Sequence, residues 1–159
     1  MKRMILIAIL GTSIVTGKES LARTFTFHGA QCRPVAPNVS SWGTNSFGIY
    51  NTGASYLTVD CPLPISYSGT PVPTIVSAET VVYNRGTITD CHLYKLDYAG
   101  NSVLTDFSSA NTPNGPQYLN YSYMPGQSVD GVWFARCSLA PANAGNYSYI
   151  TSFAIQTSE

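Results

Sequence analysis

The chain has 159 residues, enough for one domain with a core of its own, and its eight Lys and Arg balance eight Asp and Glu to a formal charge of zero. Charged residues make up only 10% of the sequence, and no Lys/Arg cluster exists to gather phosphates by counterion release, which excludes nucleic acid as a partner class. In place of charge stand Ser, Thr, Asn, Gly and eleven tyrosines, a chemistry that hydrogen-bonds and stacks without a long-range field and so suits glycans or copies of the protein itself.

The N-terminus reads as an export leader. Lys2 and Arg3 form a basic start, Met4 to Val15 an apolar run broken by Gly11, Thr12 and Ser13, and Ser20-Leu21-Ala22 a small-x-small cleavage pattern. Cleavage is expected after Ala22, with Gly17 as the alternative, giving a signal peptide over 1–22 and a β-sandwich domain over 23–159. The apolar run falls well short of the ~20 residues that span a bilayer, so no membrane span is expected in the mature chain. That mature chain would carry five cations (Arg23, Arg33, Arg85, Lys95, Arg136) against seven carboxylates (Asp60, Glu79, Asp90, Asp97, Asp106, Asp130, Glu159), a net charge of −2.

Arg23 to His28 alternates polar residues with Phe25 and Phe27, a first strand with one apolar face. Arg33 to Thr44 reads as a surface connection in which Trp42 is the only large apolar group. Phe47 to Asn51 is a short strand ending in an Asn-Thr-Gly turn, and Tyr56 to Leu63 its successor, with Leu57, Val59, Cys61 and Leu63 on the buried face. Pro62 and Pro64 require that this strand stop at Cys61 or lie at a sheet edge. Thr74 to Asn84 alternates with Ile75, Ser77, Glu79, Val81 and Tyr83 on one side, and Asn84-Arg85-Gly86 turns the chain.

Thr87 to Asp97 is the best strand of all, and its Cys91-x-Leu93 pair recurs as Cys61-x-Leu63 and Cys137-x-Leu139, so three strands share one inward signature. Tyr98 to Asn101 turns it into a weaker strand from Val103 to Phe107. Gln117 to Tyr123 is a tyrosine-rich strand, closed by a type II turn at Met124-Pro-Gly-Gln127. Val129 to Leu139 faces Trp133, Ala135, Cys137 and Leu139 inward, and Tyr147 to Gln156 sets Tyr149, Thr151, Phe153 and Ile155 opposite Ile150, Ser152 and Ala154. Apolar residues keep the helical period nowhere in the mature chain. Eight to ten short strands with turn signals every 8 to 12 residues predict an all-β fold: a single antiparallel β-sandwich, jelly-roll or Ig-like.

The four cysteines all follow the leader, and an even number in an exported chain predicts two disulfides. Three pairings are open. Sequential pairing, Cys32 to Cys61 and Cys91 to Cys137, is favoured because it ties the N-terminal segment to the next strand and clips two core strands together. Such loops contribute about 3.6 and about 4 kcal/mol in the chain-entropy model. The competing metal site lacks C-x-x-C spacing, and only His28 and His92 would assist.

Phe47-Gly-Ile-Tyr-Asn51, Val59-Asp-Cys-Pro62, Cys91-x-Leu93 and Cys137-x-Leu139, behind a leader and before a closing alternating strand, resemble a loose group of small exported bacterial disulfide-containing β proteins with no assigned function. The resemblance implies export and an all-β fold; it carries over no catalytic residue.

No catalytic or cofactor pattern stands out. His28 lies near the mature N-terminus, and His92 alternates with Asp90 and Tyr94 on the face opposite Cys91, with no nucleophile motif beside either. Nothing places two carboxylates across a cleft, and Asp97 to Asn101 lacks the alternating ligands of a calcium loop and reads as a hairpin. Asn38, Asn120 and Asn146 open glycosylation triplets that matter only in a eukaryotic source. The expected function is a secreted or cell-surface non-catalytic module, glycan-binding or matrix-associated, working through Trp42, Tyr118, Tyr121 and Tyr123. The same tyrosines are equally candidates for the core. The alternative is a structural subunit that self-assembles by strand addition, since so few charges guard its edges. A hydrolase too divergent to show a motif comes third.

Overall fold

The computed structural model describes residues 22–35, 41–65, 67, 69–85, 89–111 and 115–158. Residues 1–21 of the expected leader, the Asn38 triplet, Gly86 and the start of the strand expected from Thr87 lie outside the described residues. The strands are β1 (Arg23–His28), β2 (Arg33–Pro34), β3 (Trp42–Asn45), β4 (Gly48–Asn51), β5 (Leu57–Leu63), β6 (Ile75–Asn84), β7 (Thr89–Leu96), β8 (Ser102–Ala110), β9 (Gly115–Asn120), β10 (Val132–Leu139) and β11 (Tyr149–Thr157). A 3-10 turn at Gly29–Gln31 follows β1.

Two antiparallel sheets pack face to face. The first runs β3-β4-β11-β6-β9, with β1 also on β11, and the second runs β2-β5-β10-β7-β8. The pairings nest: β4 with β11, β5 with β10, β6 with β9, β7 with β8. One long hairpin is thus folded at the β7–β8 turn and rolled up, so that β4-β11-β6-β9 faces β5-β10-β7-β8. This is the jelly roll, and it decides between the two sandwich types that alternation alone allows.

Inward faces follow the period-2 pattern in the second sheet. Leu57, Val59, Cys61 and Leu63 of β5, Cys91 and Leu93 of β7, and Trp133, Ala135, Cys137 and Leu139 of β10 are all buried. Cys91 lies directly opposite Cys137 in the β7–β10 register, and Cys32 bonds Cys61 where β2 enters beside β5. Both disulfides follow the sequential pairing, and both staple neighbouring strands of one sheet. The prolines do not stop β5, which continues through Pro62 to Leu63; among the described residues β2 pairs only with Val59 and Asp60, so the missing N–H falls on an open edge.

The first sheet departs from simple alternation at two places. A bulge between Ile150 and Ser152 lets β11 bury Ile150, Phe153 and Ile155 and turn Ala154 and Gln156 outward with Tyr149. The single face expected for Tyr149, Thr151, Phe153 and Ile155 is therefore split. A second shift beside Ile75 leaves Ala78, Thr80, Val82 and Asn84 as the buried set of β6, with Glu79, Val81 and Tyr83 outside. Trp42 opens a strand, β3, where a loop is expected, because Trp42 to Asn45 pairs with Gly48 to Asn51 around a tight hairpin.

Candidate functional site

The β3–β4 hairpin carries Phe47 at its tip. Gly48 adopts a φ of 129°, and a Cβ there would lie 1.8 Å from the Ile150 carbonyl oxygen, so only glycine lets the hairpin press onto β11. Gly43 leaves room for the Tyr50 ring, whose hydroxyl would otherwise meet a Cβ at 2.4 Å. His28 holds the hairpin from the β1 side: its Nδ1 accepts the Ala30 N–H at 3.0 Å, which leaves Nε2–H to donate to the Ser46 carbonyl at 3.1 Å. His28 is thus a brace for Phe47 rather than a base beside a nucleophile.

Cross-strand register then builds an aromatic row on the outer face of the first sheet. Tyr50 pairs with Tyr149, and Tyr149 with Tyr83. Tyr50 and Tyr149 are 5.1 Å apart with planes tilted by 42°, Tyr147 lies 5.2 Å from Tyr50, and Phe47 stands edge-on to Tyr149 at 73°. Phe47, Tyr83, Arg85, Tyr149 and Thr151 enclose a cleft of about 360 Å³, at the small end of the ~300–1,000 Å³ usual for small-molecule sites. Thr151 reaches it because the β11 bulge turns it there. The Arg85 guanidinium lies 4.6 Å from the Tyr83 ring centroid and donates to the Tyr83 hydroxyl at 3.0 Å. The cleft thus offers apolar ring surface, hydroxyls and one guanidinium.

A second aromatic surface covers the outer face of the other sheet. There Tyr94 and Phe134 stack 4.7 Å apart at 6°, and His92 sits 4.8 Å from Phe107. Arg136 forms a two-pronged ion pair with Asp60 at 2.7 Å for each contact, and this carboxylate raises the affinity of the guanidinium for its proton. Parallel stacking uses the ring faces on each other, so a ligand here would meet ring edges. In the first sheet Phe47 stands edge-on to Tyr149 at the wall of a concavity, which makes the cleft the better site. Among the described residues no group of three or more His, Cys, Asp or Glu is arranged to hold a metal. The Asp97 carboxylate accepts the Ala99 and Asn101 N–H groups and the Asn101 amide within the β7–β8 hairpin; the bonds from Asn101 foremost lower its pKa, and the hairpin reading of this segment accounts for them.

No protein-family model matches the chain, and neither does any curated protein. Among solved structures it is similar to one of infectious bursal disease virus Gx strain, at 14% identity and a TM-score of 0.44, over 98% of this chain and 36% of that one. The chain therefore spans little more than a third of the viral protein's length. It is also similar to the carbohydrate-binding module CBM36 in complex with calcium and xylotriose, at 13% identity and a TM-score of 0.42, over 83% of this chain and 98% of that one.

The residues singled out from sequence are dispersed. Tyr121 is only 2% exposed: the chain leaves β9 after Asn120, and the ring enters the core, where its hydroxyl bonds Thr80 at 2.7 Å. It has no face to offer a ligand, so its place among the binding residues is corrected. Trp42 packs half-buried against the core edge, facing the same way as buried Asn51. Tyr123 is 73% exposed but stands beside β8, apart from the cleft. Tyr118, 62% exposed, lies opposite Val81 on the outer face of the first sheet, one cross-strand row from Tyr83. None of the four lines the cleft. Phe47, Tyr83, Arg85 and Tyr149 were missed, although outward parity on β6 and the Phe47 to Asn51 motif marked some of them.

Proposed function

We propose that this chain is an exported, non-catalytic sugar-binding module whose ligand lies in the Phe47–Tyr83–Tyr149 cleft. The observation that carries the reading is that three rings, Phe47 edge-on to Tyr149 and Tyr83 opposite Tyr149 in register, line a cleft of about 360 Å³, with Thr151 and the Tyr83 hydroxyl at hand. A sugar ring presents an apolar face that packs on tyrosine and phenylalanine, while its hydroxyls need donors and acceptors without strong charge. Tyr118, 62% exposed on the same outer face one strand away, offers a further ring to a longer saccharide chain. Two disulfides fit an oxidising compartment, and among the described residues no helix is long and apolar enough to cross a membrane.

The test is a titration with a panel of polysaccharides and oligosaccharides followed by calorimetry. Shallow-site binding of about 0.1–1 mM, equivalent to roughly 4–5.5 kcal/mol, is expected. Phe47→Ala should abolish it with the thermal midpoint nearly unchanged, since that ring is 67% exposed. Tyr123→Ala should leave binding intact. Binding that survives Phe47→Ala and Tyr149→Ala together would remove the cleft from consideration.

A further inference from the structure

We infer that the cleft selects acidic sugars, reading a saccharide carboxylate through Arg85; this deepens, and rests on, the sugar-binding reading above. Arg85 follows directly on β6, and its backbone N–H is fixed to the Ser148 hydroxyl at 3.0 Å. Its guanidinium is fixed again by the Tyr83 ring and hydroxyl. Of the other cations among the described residues, two are neutralised by carboxylates and none lines this cleft. Lys95 pairs with Asp130 and Arg136 with Asp60, Arg33 donates to the carbonyls of Ala30 and Cys32, and Arg23 stacks on Phe25. Arg85 forms no ion pair with any carboxylate among the described residues.

A guanidinium has five N–H donors, and the bond to Tyr83 uses one. The remaining fork, held at the wall of an aromatic cleft, has the geometry to take a planar carboxylate with two parallel bonds. The surrounding rings thin the water around that contact and strengthen it. One cation compensates one negative charge, so a carboxylated sugar fits where a doubly charged phosphate would leave charge uncompensated. The protein supplies no general positive field, so recognition of an acid in this cleft rests on Arg85. The occupant is therefore a hexuronate within a saccharide chain, its ring against Tyr149 and Phe47 and its carboxylate on Arg85.

Four probes separate this inference from its foundation: a galacturonate trisaccharide, its methyl ester, the neutral galactose trisaccharide of the same linkage, and a sulfated trisaccharide. Calorimetry at low salt should show the acid binding about tenfold or more tighter than the ester. Arg85→Gln should reduce the acid to the ester's affinity and leave the ester unchanged, with the thermal midpoint confirming the fold. Arg85→Lys, which keeps the charge and loses the fork, should recover only part of the preference, and that preference should shrink as salt rises. Equal binding of acid and ester by the wild type would overturn the inference while the sugar reading stands. So would an equal loss of both in Arg85→Gln, which would make Arg85 a support for Tyr83, or a stronger response to a sulfated trisaccharide. Failure of all saccharides to bind would remove the foundation and the inference with it.

Discussion

The buried hydroxyl of Ser148 donates to Asn84 Oδ1 at 3.3 Å while accepting the Arg85 N–H, so it locks the end of β6 to the residue before β11. Asn84 also accepts the Thr89 hydroxyl at 3.2 Å and donates to the Ala110 carbonyl at 3.3 Å. Nearby Asn51 donates to the carbonyls of Ser55, Leu139 and Ala140. These buried amides and hydroxyls join both sheets directly beneath the cleft. A satisfied polar network in a low-dielectric interior fixes one arrangement of the strands around it.

Ser148→Ala should therefore destabilise the fold by about 1–3 kcal/mol, the penalty for leaving buried polar partners unmatched. Asn84→Ala should cost more, because it abandons Thr89, Ser148 and the Ala110 carbonyl at once. Urea unfolding with an unchanged m-value would check both. A cost within a few tenths of a kcal/mol would show that the network is dispensable.

Asp106 is buried on the inner face of β8, an outermost strand of the second sheet, and lies opposite Leu93. Its carboxylate accepts the Phe107 N–H at 2.8 Å and the Tyr123 N–H at 2.7 Å. An inward charge on an edge strand is a known guard against edge-to-edge pairing, and here it also ties the segment after β9 to β8. The opposite edge, β2, is two residues long and ends in proline. Asp106→Val should lower stability by about 1–3 kcal/mol and give concentration-dependent oligomers by light scattering, where the wild type should remain monomeric. Salt-resistant assembly of the wild type would instead revive strand addition as a function.

What alternation encodes was legible: Cys61, Cys91, Trp133 and Cys137 face inward as their period-2 patterns require, and their neighbours face out. The rest depended on events that a period cannot carry. One inserted residue at Thr151 reverses which side of β11 is buried, and sequence holds no signal for a bulge between Ile150 and Ser152. Alternation about Leu119 turns Tyr118 outward and Tyr121 inward, but Tyr123, beyond the end of β9 at Asn120, departs from it and is exposed. The cleft joins residues 47, 83, 85, 149 and 151, which come together only through the nested pairing of β4, β11 and β6. Asn84, a turn residue by composition, is buried because its amide bonds the Thr89 and Ser148 hydroxyls and the Ala110 carbonyl in the interior.

The two disulfides make a prediction about the unfolded chain. With both pairs closed, thiol titration of the denatured, unreduced protein should find no free sulfhydryl, and mass mapping should join Cys91 to Cys137. Two free thiols would contradict the pairing. The Cys91–Cys137 bridge closes 46 residues, for which the chain-entropy model gives about 4 kcal/mol. Replacing both by Ala should remove most of that, and the loss of the Cys32–Cys61 bridge over 29 residues should cost slightly less, about 3.6 kcal/mol.

Tyr121 gives the fold an alkaline limit. Burial pushes its phenol well above the ordinary tyrosine range; the Thr80 hydrogen bond acts against this, and the Asp106 charge adds to it. Below the unfolded-state value near 10, both states hold the proton, and the group adds no pH dependence. Above it the unfolded chain releases a proton that the native state retains, so stability falls as pH rises towards the folded value. Tyr121→Phe removes that titration and leaves the buried Thr80 hydroxyl without its partner. At neutral pH the variant should be less stable by about 1–3 kcal/mol. Between about pH 10 and 11 its stability should fall less steeply than the wild type's, so that the two curves converge. Tyr123→Phe, at an exposed ring, is the control and should follow the wild type. Parallel slopes for Tyr121→Phe and wild type would mean that the native state does not hold the Tyr121 proton.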